Sequence, residues 1–169
     1  MRAALVRRLR SYWKIEAGNV ILVPLVGAAL VIANHGTISW PLAVAMSATS
    51  GLLVIGTIAL RAHYLTVAGD VSAMDRVVPL LARCQIPAAI LCAAGVAGAG
   101  VQHWQDGAWT PSVIAAWVYA ALAALEYVNY YHVQLQQFDH APDRARLFAG
   151  KGFRASHLAR ALKRYRAGR

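Results

Sequence analysis

The chain has 169 residues, 59% of them hydrophobic and only 14% charged, with 17 Lys and Arg against 7 Asp and Glu for a net charge of +10. This is too apolar for an ordinary soluble domain of that length. The positive balance does not indicate nucleic acid, because the basic residues flank apolar runs and form no soluble face with base-stacking groups.

Four runs of about 18 or more apolar residues can each cross a hydrocarbon core about 30 Å thick. The expected fold is therefore an all-α integral membrane protein, four transmembrane helices in a bundle. Its expected parts are a basic interfacial segment at 1–16, a four-span membrane domain at 17–137 and a basic tail at 138–169.

In the first segment Arg2, Arg7, Arg8, Arg10 and Lys14 are interspersed with Leu5, Leu9, Tyr12 and Trp13, the pattern of a short helix resting on headgroups. The first span, 17–34, contains Pro24, which removes a backbone donor and predicts a kink or a close neighbouring helix. Asn34, His35 and Gly36 predict a tight turn. The second span, 39–61, opens on Ser39-Trp40-Pro41, with proline in the first turn where its missing N–H is harmless.

Between Arg61 and Arg76 lies a loop with charges of both signs, His63 and Tyr64. The third span, 77–100, carries Arg83 and Gln85 in its first turns and ends in the small-residue run AAGVAGAG, for which Ser47 and Gly51 on span two offer a matching surface. Cys84 and Cys92 lie in this span without ligand or disulfide spacing and read as buried small side chains. Trp104 and Trp109 then suggest an aromatic belt.

The fourth span, 111–133, opens on Pro111, and its helix is expected to continue to 137. In the tail, Pro142 and the Gly150-Lys151-Gly152 stretch interrupt helix. Ser156 caps a predicted helix at 156–166, with Leu158, Ala161, Leu162 and Tyr165 as an apolar stripe and Arg160, Lys163 and Arg164 on the basic face. Such a helix is expected to lie on anionic lipid headgroups, the alternative being an acidic partner or the protein's own loop. All Lys and Arg residues fall in the N-terminal segment, the second loop with its adjoining turns, or the tail. Both termini are therefore expected to be cytoplasmic, in the cytoplasmic (inner) membrane.

Chemistry concentrates at the end of span four. Glu126, Asn129 and Tyr130 stand at i, i+3 and i+4 on one face, and an unpaired carboxylate at that depth costs about 2 to 3 kcal/mol to insert. Two accounts follow: a clasp with Arg83, which enters at similar depth on span three, or a polar pocket open to the cytoplasm that also draws on His132, His63 and Arg61. No metal is expected, because Glu126 and His132 are six residues apart and no H-x-x-x-H pair exists; span centres also lack a histidine for haem. No cofactor is identified. The expected function is binding of an amphipathic small molecule or lipid near the cytoplasmic leaflet, or service as an accessory subunit of a larger membrane complex.

Two alternatives stand beside it. One is a small proton- or cation-coupled transporter acting as a homo-oligomer, a reading that wants a second membrane-embedded acid. The other is an inner-leaflet lipid-modifying enzyme using Glu126 or His132 as acid–base groups and Arg61, Arg83 or the tail to hold a phosphate. Serine-hydrolase, phosphate-loop and paired-aspartate signatures are absent, which weakens the enzymatic reading.

Overall fold

The apolar runs become four long helices and a short fifth in a computed structural model that describes residues 2–135, 149–150 and 152–168. These are α1 (Arg2–Ala33), α2 (Trp40–Ala68), α3 (Ala73–Asp106), α4 (Pro111–Tyr131) and α5 (His157–Ala167). Tail positions His140 and Pro142 lie outside the described residues. The end of the bundle where the chain enters α1 and leaves α4 is here the proximal end; the turns at 34–39 and 107–110 are distal.

Each of α1 to α4 is long and apolar enough to cross a bilayer. At 1.5 Å per residue the 32 residues of α1 extend about 48 Å, well beyond a hydrocarbon core. Its basic first turns are thus the overhang of the same helix that forms the first span, with no break at 16. Pro24 is accommodated within it. Ser39 and Thr110 cap α2 and α4 by accepting from the amides of Leu42 and Val113, and a proline follows each cap. The Asn34-His35-Gly36 turn forms as the sequence suggests, with the Gly36 amide donating to Val31 at 2.8 Å.

The hub is α2, which packs against α1, α3 and α4, whereas α1 and α4 meet at few points. Only 6% of the most apolar window of α1 is buried, against 50% for α2. Ile21, Leu22, Leu25 and Leu30 on α1, Ile86 and Ile90 on α3, and Leu125 on α4 all face outward. An apolar surface on that scale belongs in lipid. The small residues of α3 do pack closely on α2, but at different partners from those expected. Added side-chain atoms at Gly95 and Gly98 would meet Ala45 and Pro41, while Ser47 and Gly51 face out of the bundle.

One expectation for the C-terminal part is corrected. The fourth helix does not run on to 137: it stops at Tyr131, and Val133 forms an antiparallel bridge with Ala155. The Gln134 amide donates to the Arg154 carbonyl at 2.8 Å and the Ser156 amide to the His132 carbonyl at 3.2 Å, so the returning tail is fastened to the end of α4. The apolar stripe of α5 packs on the bundle. Leu158, Ala161 and Leu162 are buried in one cluster with Met74, Val78 and Leu81 of α3 and Tyr131 of α4. A bundle surface already apolar at its proximal end competes with headgroups for that stripe, and here it is the bundle that covers it.

Candidate functional site

The inward stripe of α4 runs through Val113, Ala116, Tyr119, Ala120, Ala123 and Tyr130, which recur at three- and four-residue spacing. Tyr119 and Tyr130 are eleven residues apart, close to three turns, so both project from one face. Each is admitted by a glycine. An atom in the β position of Gly27 on α1 would lie 1.9 Å from the Tyr119 hydroxyl oxygen, and one at Gly56 on α2 would lie 2.2 Å from Tyr130 ring and hydroxyl atoms. Through these gaps the Tyr119 hydroxyl donates to the Val23 carbonyl at 2.6 Å and the Tyr130 hydroxyl donates to the Glu16 carboxylate.

Glu16 is the only acid in α1, and Tyr130 brings it to the acid of α4. Glu126 stands close enough to Glu16 and to the Tyr130 hydroxyl for their charges to interact. The Asn129 amide donates to Glu126 at 3.3 Å, and its carbonyl oxygen accepts the Leu135 amide at 2.9 Å, which fixes its orientation. Among the described residues no Lys or Arg forms an ion pair with either glutamate. Two half-buried carboxylates from helices far apart in sequence thus stand near one hydroxyl, which donates to Glu16.

Beside them is a cavity of about 110 Å³, lined by Glu16, His63, Asn129, Tyr130, Gln134 and, from the tail, His157 among others. Its proximal wall is the start of α5. The Ser156 hydroxyl donates to the Tyr130 carbonyl and accepts the Ala159 amide, so one side chain caps α5 and satisfies the open end of α4. The His157 ring of α5 meets the His63 ring of α2 with centres 4.1 Å apart and planes tilted by 35°. Ser156→Ala is expected to weaken the docking of α5 by about 1 to 2 kcal/mol. Amide hydrogen exchange of residues 157–167, faster in the variant at constant pH, is the measurement.

Of the side chains singled out in the sequence, Asn129, Tyr130 and His63 line this cavity and Glu126 adjoins it. Three others lie elsewhere. Arg83 is exposed on α3 and makes no ion pair with Glu126, so the expected clasp is absent. Leu81 and Val78 face the core, and Arg83 stands two residues, about 200°, from Leu81 around the helix. Arg61 is exposed with its guanidinium 5.7 Å from the centre of the Trp13 ring. His132 is exposed past the end of α4, its ring 5.5 Å from that of Tyr127. The residues that sequence reasoning missed are Glu16 and His157. A signal existed for the first: Glu16 and Gly27 have the same eleven-residue spacing as Tyr130 and Tyr119, which they meet in antiparallel order.

Farther from the proximal end, α1 and α4 diverge to leave an open cleft of about 610 Å³ walled by side chains such as Leu22, Val26, Leu30, Ile114 and Val118. Asn34 and the Tyr119 hydroxyl are the polar groups on it. Among the described residues no group of three His, Cys, Asp or Glu side chains is arranged to hold a metal. Comparison with known protein families, with curated proteins and with solved structures finds no match, so the site stands on its own geometry.

Proposed function

We propose that the protein binds an amphipathic small molecule or lipid with a cationic head at the proximal cavity, in the cytoplasmic membrane with both termini on the cytoplasmic side. The observation that carries this reading is the convergence of Glu16 and Glu126 on Tyr130 beside a cavity. Two carboxylates at the edge of a low-dielectric region attract a positive charge, and a polar head with an apolar body suits a cavity at the border of an apolar bundle. The orientation is supported by the Lys and Arg residues, which all sit toward the proximal end or in the tail. With α5 docked by its apolar side, Lys163 and Arg164 remain exposed and Arg160 half-exposed, ready to meet anionic headgroups.

The coupled-transport reading gains one observation, since Glu16 is the second acid it wanted. It lacks a polar route, because the distal cleft is almost wholly apolar. The lipid-modifying reading is not favoured, as His132, Arg61 and Arg83 do not gather at Glu126.

The test is mass spectrometry of small molecules and lipids that co-purify in mild detergent with the wild-type protein, Glu16→Gln and Glu126→Gln. One defined species, positively charged at neutral pH, should fall about tenfold or more in both variants while helix content is retained, a difference of about 1.4 kcal/mol in affinity. Identical profiles in all three samples would sink the reading and turn attention to protein partners.

A further inference from the structure

We propose that α5 is an acid-opened lid on the proximal cavity, with the paired imidazoles of His63 and His157 as the sensor. Its purpose rests on reading the cavity as a binding site, but its test does not, since it uses the protein without added ligand.

The geometry is that of a removable wall. α5 is joined to the bundle by a chain that returns to α4, and its N-terminal residues Ser156, His157 and Leu158 complete the cavity lining. Beyond the backbone bonds that fasten 154–156 to the end of α4, it holds by the Ser156 hydroxyl on Tyr130, the apolar cluster of Leu158, Ala161 and Leu162, the Arg166 guanidinium donating to the Gln85 side-chain oxygen at 2.5 Å, and the two tilted imidazole rings. All of these but the ring pair are indifferent to pH near neutrality. The rings are not, because two imidazoles whose centres are 4.1 Å apart pack well when neutral and repel when both are charged.

The charges around His157 act mostly in one direction. His63 faces it from α2, Arg160 on α5 itself approaches within 3.1 Å of His157 Nδ1, and Arg154 lies in the preceding segment. Facing them, α1 contributes the Glu16 carboxylate, which accepts from Tyr130; Asn129 and Tyr130 of α4, Gln134 just after it and Met74 of α3 carry no charge at neutral pH. Partial burial first, then His63, Arg160 and Arg154, push the His157 imidazole down to about 4 from its ordinary value near 6.5. A released α5 would take up a proton near the ordinary value, so between these limits the undocked form binds more protons. Docking is therefore at full strength above about pH 6.5 and weakens as pH falls toward 4. Because part of the ring meets solvent, the expected shift in the docking equilibrium between about pH 7.5 and pH 5 is about tenfold rather than the full linkage value.

The experiment is amide hydrogen exchange of the full chain in lipid nanodiscs at about pH 7.5 and pH 5, with rates corrected for intrinsic chemistry, on the wild type and on His157→Gln. The expected result is a loss of about tenfold in protection of residues 157–167 at the lower pH in the wild type, and less than about threefold in the variant. Unchanged wild-type protection, or the same loss in His157→Gln, overturns the proposal. Should His157→Gln leave α5 unprotected at both pH values, His63→Gln decides in its place. A response well under that of the wild type then supports the paired sensor, and an undiminished one overturns it. Ligand binding can survive either failure, so the two readings fail separately.

Discussion

Replacing Gly56 with alanine is expected to destabilise the bundle by about 2 to 3 kcal/mol and to disorder the proximal site. The added carbon would lie 2.2 Å from both the Tyr130 Cζ and its hydroxyl oxygen, far inside contact distance. The ring has little room to yield: Tyr130 is 8% exposed, its hydroxyl is bound to Glu16 and its own carbonyl accepts from Ser156. Either the ring leaves, which breaks the link between α1 and α4, or α2 and α4 separate. Separation would strain the bond from the Thr49 hydroxyl to the Tyr119 carbonyl, now 3.0 Å long. Reversible unfolding in mild detergent measures the effect. Combining Gly56→Ala with Tyr130→Ala should recover about 1 to 2 kcal/mol relative to the sum of the single changes, because the second removes the obstacle met by the first. Wild-type stability in Gly56→Ala would mean that the slot is looser than its geometry implies.

Leu162→Ala is the second large effect expected, at about 2 to 5 kcal/mol of lost packing. Leu162 is 2% exposed and belongs to the cluster that joins α5 to α3 and α4. The loss should not spread to the whole molecule, because α5 is attached through a clasp and one face, and the four long helices bury their own contacts without it. Segment-resolved hydrogen exchange should show residues 157–167 losing protection, with the buried parts of α2 and α4 unchanged. Equal acceleration in α2 would instead make α5 part of one cooperative unit with the bundle.

How far such features could be read beforehand depends on their physics. The spans, the prolines in the first turns of α2 and α4 and the cap at Ser156 were legible, since long apolar runs, first-turn prolines and N-terminal hydroxyls act locally. The candidate site was legible on α4 and at His63 of α2. Depth along the membrane suggested Arg83 for Glu126, but depth says nothing about the direction a side chain takes around its helix, and the burial of Leu81 turns Arg83 outward. Glu16 was obscured by its surroundings, because a single acid next to Arg8, Arg10 and Lys14 looks like part of a headgroup-binding segment. The choice of α5 between lipid and bundle was not legible at all, for the same apolar stripe satisfies both.

The bond between Tyr130 and Glu16 spans 114 positions of the chain, and this has a consequence for biogenesis. In the order of synthesis α1 is inserted first, and its glutamate must wait at the bilayer edge until α4 arrives with the tyrosine that satisfies it. Contacts between such distant segments close late in folding. The wall formed by α5 comes later still. A chain that ends before α4 therefore leaves Glu16 without the hydroxyl that satisfies it, and one that ends before α5 leaves Met74, Val78 and Leu81 uncovered on that side.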